Sequence, residues 1–130
     1  MSEQTDANKA IVRRLVDEVF NGGDLDLIDE LYSATLAPAA RAWITPFRAS
    51  FPDVQMDTVE LIAEGDTVVG RFTCSATHTG KWLGHEPSGR RFTNIDEVNL
   101  YRFHNGRITD TWTLEDNLER LTQLRLPHTP

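Results

Sequence analysis

Two strand-like runs, Ile95–Phe103 and Arg107–Leu114, are separated only by His104-Asn105-Gly106. Asn-Gly between alternating segments demands a tight hairpin, because both residues tolerate positive φ. Whatever this chain folds into must therefore contain an antiparallel strand pair near its C-terminal end. Glu97 and Asn99, then Thr109, Thr111, Thr113 and Glu115, recur at every second position along the two runs. Residues two apart on a strand share a face, so hydroxyls, an amide and carboxylates are expected to floor a pocket.

The rest of the chain changes period part-way. From Asp6 to Asn21 apolar residues fall at 11, 12, 15, 16, 19 and 20, the one-sided stripe of a packed helix. Gly22-Gly23 stops that helix, and Asp24 is suited to cap a short second one carrying Leu27, Ile28, Leu31 and Tyr32 on its buried side. A third helix is expected from Pro38 towards Ser50, with Pro46 awkward in its interior. After Asp53 the period becomes two. Strands are expected near 54–63, 67–79, 92–103 and 107–115, with Glu64-Gly65-Asp66 as a hairpin turn and a short helix from Asp116 to Leu124. Helices followed by a strand meander give an α+β domain, in which helices cover one face of a curved sheet and leave a cone-shaped cavity. One domain over 1–130 is expected, with 1–5 and 126–130 frayed.

Composition excludes several classes of partner. The net charge of −7, with 13 scattered Lys and Arg, argues against nucleic acid. The chain lacks an apolar run of the ~20 residues needed to cross a bilayer, and its N-terminus shows no signal-peptide pattern. Cys74 stands alone, which excludes an internal disulfide. A cytoplasmic protein is the expectation. His85-Glu86-Pro87 has no second histidine four residues on, so no metal site is expected.

These segments also carry a family resemblance. His78-Thr79-Gly80, Leu83-Gly84, Pro87-Ser88-Gly89-Arg90-Arg91-Phe92, the run Val98–Phe103 into Asn105-Gly106-Arg107-Ile108, and Trp112, Asp116, Gln123 and Leu124 follow one another in an order that resembles the SnoaL-like polyketide cyclases, or ester cyclases, of the nuclear-transport-factor-like superfamily. The N-terminal Ile11–Val16 and Phe20–Asp24 fit the same family. The resemblance implies a cone-shaped α+β barrel of N-terminal helices on a curved, mostly antiparallel sheet. It also implies cofactor-independent acid/base chemistry on a hydrophobic carbonyl compound such as a polyketide, for example aldol cyclisation or isomerisation.

Residue by residue, the resemblance is partial. Thr113 stands where these cyclases carry their catalytic aspartate on the last strand, and a threonine hydroxyl cannot replace a carboxylate as acid or base. Asp110 and Asp116 flank it, but alternation places both on the opposite face. Glu97 matches a polar pocket position that is normally an amide. Buried in an apolar cavity it would have a raised pKa suited to proton transfer; exposed at a strand edge it would have none. Asn99 matches a position that can be histidine, and could donate a hydrogen bond to an enolate oxygen or serve as a structural amide. The family's longer segment with His-x-Pro is here Leu36–Arg41, without histidine, so the pocket mouth is expected to be more open.

His78 ends a strand whose row is Val68, Phe72, Cys74 and Ala76. It could be a pocket base or a structural residue bonded to a backbone carbonyl. The candidate catalytic set is thus Glu97, Asn99 and His78. Thr111, Thr113, Trp43, Phe47, Phe72, Trp82 and Tyr101 are the candidate substrate-binding residues, the aromatic ones serving equally as core.

Val98, Leu100, Ile108, Trp112 and Leu114 are expected on the face opposite to Glu97 and Asn99. If helices cover the polar face, these residues form an exposed apolar patch and a homodimer interface; with the faces reversed they are core. Two function classes remain open: a cofactor-independent enzyme, or a small-molecule-binding or assembly domain of the same fold that catalyses nothing.

Overall fold

The computed structural model describes residues 2–127; His128, to which the sequence assigns no role, lies outside them. α1 spans Glu3–Arg14 and runs without a break into a wider, π-helical stretch at Leu15–Asn21. Its start differs from the expected frayed end. The Ser2 hydroxyl accepts from the Thr5 backbone N–H at 3.1 Å, and the Thr5 hydroxyl accepts from the Ser2 N–H at 3.3 Å, a reciprocal capping box. The stripe Val12, Leu15, Val16, Val19 and Phe20 is buried as its spacing predicts. A single 3-10 turn, Leu25–Leu27, leads into the one-turn α2, Ile28–Leu31. Asp24 precedes that turn, but its side chain makes no capping bond.

α3 covers Ala37–Ser50, with Pro38 in its first turn. The helix continues through Pro46, and the Ser50 hydroxyl at its end lies 3.1 Å from the Pro46 carbonyl and 2.6 Å from that of Lys81. That contact ties the end of α3 to the loop after the second strand.

Four antiparallel strands form one sheet in sequence order: β1 Gln55–Glu64, β2 Thr67–Thr77, β3 Arg91–His104 and β4 Arg107–Glu115. The β3–β4 turn has Asn105 at φ +50° and Gly106 at φ +75°, the geometry that Asn-Gly selects. α4, Asn117–Leu124, is capped by Asp116, whose carboxylate accepts from the Glu119 N–H at 3.0 Å.

Helices pack on one face of this sheet. One apolar cluster joins α1, α2 and the first part of α3 to Val68, Phe72, Tyr101, Phe103 and Ile108; a second joins Phe51, Val54, Cys74, Ala76, Phe92, Ile95 and Leu124. Ile108 therefore belongs to the core and not to the outer face where plain alternation put it. The register slips by one residue between Arg102↔Asp110 and Phe103↔Ile108. This irregularity turns Ile108 inward and leaves Thr109 outside the inward polar row. On the other face Ile62, Val69, Leu100 and Trp112 stand opposite one another in a row across the whole sheet. Trp112 is 55 % exposed and Leu114 beside it 62 %.

Candidate active site

Strand alternation and helix cover together bury three consecutive inward residues of β3. Glu97 is 5 % exposed, Asn99 3 % and Tyr101 3 %. Glu97 and Tyr101 flank one amide: Asn99 Nδ2 donates to Glu97 Oε2 at 2.9 Å and lies 3.1 Å from Tyr101 Oη. The amide oxygen of Asn99 is buried without a hydrogen-bond partner among the described residues. Across the β3–β4 ladder, Thr111 stands opposite Tyr101, Thr113 opposite Asn99 and Glu115 opposite Glu97.

Burial pushes the Glu97 carboxyl up to about 7. The nearby Glu115 raises it further, while the Asn99 hydrogen bond and the Arg120 charge pull it back. A group with that value is divided between acid and base near neutral pH, as general acid/base work requires. Burial likewise raises the Tyr101 hydroxyl well above its ordinary value, with Tyr32 and Glu97 adding to it; Tyr101 stays neutral.

The cavity opens where α3 meets the end of β4. One cleft of about 500 Å³ is lined by Trp43, Thr111, Thr113, Leu114, Glu115 and Asn117. A second, of about 390 Å³, shares Trp43, Glu115 and Asn117 and adds Phe47, Trp82 and Leu83 among its walls. A third, about 370 Å³, lies at the end of the β3–β4 ladder and touches Glu97, Asp96, Glu115 and Asp116. Trp43, 41 % exposed, stands between the first two.

Most of the expected residues converge on this region. Glu97, Asn99 and Tyr101 form the buried group; Thr111, Thr113, Trp43, Phe47 and Trp82 line the clefts. Phe72 does not join them. It is fully buried in the first apolar cluster, because its β2 position faces the helices.

His78 sits apart from Glu97 and Asn99, against the rings of Phe51 and Trp82. Its Nδ1 accepts from the Ser88 backbone N–H at 3.1 Å and lies 2.9 Å from the Ser88 hydroxyl. The neutral ring therefore carries its proton on Nε2, which has no hydrogen-bond partner among the described residues. Burial lowers its pKa, with the neighbouring His85 acting in the same direction. These contacts hold the loop from Thr79 to Arg90 closed.

Two further residues emerge from the geometry. Glu115, named in the sequence only as part of the polar row, borders all three clefts. Arg120 of α4 is fully buried. Its Nη1 donates to Glu115 Oε1 and to Asn117 Oδ1, and its guanidinium lies over Phe92 at 4.8 Å and over Phe47 and Trp82 at 5.7 Å each. The available signal was its spacing: Arg120 precedes the buried Leu124 by four residues, which places it on the inward side of the last helix. Among the described residues no group of three or more His, Cys, Asp and Glu side chains could hold a metal ion, and no helix is long and apolar enough to cross a membrane.

Comparison with known proteins bears on this architecture. The family model for SnoaL-like polyketide cyclase matches residues 10–124. The chain belongs to that family. AclR from Streptomyces galilaeus, assigned as a hydroxylase, is 26% identical with a TM-score of 0.84, over 97% of this chain and 86% of its own. IdmH from Streptomyces antibioticus, assigned as a polyketide cyclase, is 26% identical with a TM-score of 0.78, over 92% of this chain and 99% of its own. A SnoaL-like polyketide cyclase from Jannaschia sp. CCS1 reaches a TM-score of 0.90 at 23% identity, over 98% of this chain and 97% of its own, and so supports the fold alone. No curated protein matches. The SnoaL-like fold is thus present throughout, an α+β barrel with Glu97, Asn99 and Tyr101 buried between sheet and helices. Relatives assigned as a hydroxylase and as a cyclase share it, so the family name does not choose the reaction.

Proposed function

We propose that this SnoaL-like protein is a cofactor-independent acid/base enzyme acting on a hydrophobic carbonyl compound of the polyketide type. The observation that carries this reading is Glu97: a buried carboxyl, with its pKa raised to about 7, hydrogen-bonded to an amide whose oxygen has no hydrogen-bond partner among the described residues. Glu97 takes or relays a proton next to a carbonyl, while Asn99 and the Thr113 hydroxyl hold the oxygen on which charge develops. The aromatic walls of the clefts, Trp43, Phe47 and Trp82, suit an apolar ligand skeleton. Aldol cyclisation, isomerisation, dehydration and epoxide opening are all within reach of such a site. We place the protein in the cytoplasm, working as a homodimer through the outer sheet face.

A second reading, a binding domain without turnover, is favoured by one specific feature. Thr113 puts a hydroxyl where these cyclases carry their catalytic aspartate, so the site keeps its shape without that acid. A thermal-shift screen of hydrophobic carbonyl compounds on wild type and Glu97→Gln, with mass spectrometry of each hit, separates the two. The enzyme reading expects a ligand that stabilises both proteins and is converted only by wild type. Conversion at equal rates by both removes Glu97 from the mechanism. Stabilisation of both without product supports the binding domain.

A further inference from the structure

Resting on the enzyme reading above, we infer that the acid/base group is a carboxylate pair, in which Glu115 is the member that touches the ligand and Arg120 is the positioning residue that aims it. Three independent features of the geometry converge on this pair. The register sets Glu115 directly across from Glu97, and opposed residues of an antiparallel pair hold their Cβ atoms about 4.5–5.5 Å apart. Glu115 lines each of the three clefts described, whereas Glu97 is 5 % exposed and lines only the third. Arg120 Nη1 holds one carboxylate oxygen of Glu115, Oε1, and no hydrogen bond to Oε2 is seen among the described residues.

Burying an arginine in a box of three aromatic rings is not an economical way to stabilise a helix. An apolar residue of similar volume packs at least as well, because the desolvation of a buried ion pair offsets its attraction. Arg120 Nε and Nη2 have no hydrogen-bond partner among the described residues, so the guanidinium is not fully satisfied even here. What the arrangement does achieve is orientation. A planar guanidinium, clamped by Phe47, Trp82 and Phe92, fixes the direction of the carboxylate it holds.

The chemistry then moves one residue pair along β4, from position 113 to position 115, where a glutamate has the reach to face the cleft. Glu115 accepts the proton from a ligand carbon next to a carbonyl. The C–H electron pair becomes the carbon–carbon double bond of the enolate, and the carbonyl π pair moves to oxygen. Return of a proton from Glu115 to carbon regenerates both ligand and protein, so exchange with solvent between the two steps reports the reaction without any co-reactant. Other charged or titratable groups face the pair. Cys74 from β2, Tyr101 on β3 and Arg120 of α4 act on it directly, while Asp96 and Asp116 line the third cleft and Lys81 the second. Cys74 is itself pushed up to about 12 by burial and stays neutral.

The test follows the glutamate side-chain carbons by NMR in protein labelled at Cδ with carbon-13, with 2-tetralone as the ligand probe. Glu115→Gln should move the Glu97 titration midpoint down, since a like charge is removed. Arg120→Met should move it up, and Arg120→Lys, which keeps the charge if the methionine variant does not fold, should leave it in place. A Glu97 midpoint indifferent to Glu115→Gln overturns the pair. Addition of 2-tetralone should shift the Glu115 resonance in wild type; a shift confined to other glutamates overturns its role as the ligand-facing member.

In deuterated water, wild type should exchange the α-hydrogens of 2-tetralone. Glu115→Gln should abolish that exchange, and Arg120→Lys should lower kcat with KM unchanged. Exchange lost in Glu97→Gln but kept in Glu115→Gln overturns the pair and leaves the enzyme reading standing. No exchange by wild type, with coupling and the Glu115 shift both present, overturns the enzyme reading and keeps the pair as a ligand site.

Discussion

At Glu97 the direction of the pH dependence follows from burial, with Glu115 adding to it. Its folded-state pKa of about 7 lies above the ordinary value of 4.5, so the folded protein holds this proton more tightly than the unfolded chain. The stabilising contribution is fully present below about pH 4.5 and is lost as pH rises through 7. At about 1.36 kcal/mol per pKa unit the effect amounts to ~3 kcal/mol. Urea denaturation of wild type and Glu97→Gln across pH 4 to 8 should show this fall in wild type and its loss in the variant. Parallel curves would mean that Glu97 ionises freely. Phe72 illustrates the opposite assignment. As a cleft wall it would be dispensable for stability, but as a fully buried core residue its replacement by alanine should cost about 3–5 kcal/mol. Chemical denaturation of Phe72→Ala distinguishes the two. The sequence could not, because an aromatic residue on an inward strand face serves either purpose.

Among the elements, the last helix does most to shape the site. Asp116 caps α4 through the Glu119 N–H, and its own backbone N–H donates to the Asp96 carbonyl at 3.0 Å. The cap thus fixes the helix to β3 next to Glu97. Asp116→Ala should cost about 1 kcal/mol of stability, the usual worth of an N-cap, read from the urea midpoint. The same substitution should loosen Arg120 one turn along. An unchanged midpoint would show that packing of Leu124 alone holds the helix. The hairpin and the strand limits were legible, because turn chemistry and alternation are local signals; β3 and β4 fall within a residue of their expected bounds. The irregularity that turns Ile108 inward was not legible. It depends on how β4 meets α2, where the Ser33 N–H donates to the Ile108 carbonyl at 2.8 Å. No residue type near position 108 announces that contact.

For the whole molecule, the outer sheet face makes the prediction. No helix covers the row Ile62, Val69, Leu100 and Trp112 among the described residues, and Leu114 extends it. A contiguous exposed apolar face favours association. Wild type should sediment as a dimer in analytical ultracentrifugation, and Trp112→Glu should sediment as a monomer with its thermal unfolding otherwise intact. A wild-type monomer at tens of micromolar would refute the interface.

By itself the amino-acid sequence determined the α+β architecture, the order of its elements and that Glu97, Asn99 and Tyr101 share one strand face. Those features rest on periodicity and turn residues, which act over a few neighbours along the chain. Tertiary structure alone decided that Phe72 is core, that His78 braces a loop, and that Glu115 and Arg120 meet beside Glu97. Each of those outcomes depends on which surface packs against which. Contacts between residues distant in sequence are set by the assembled layers, and no local pattern carries them.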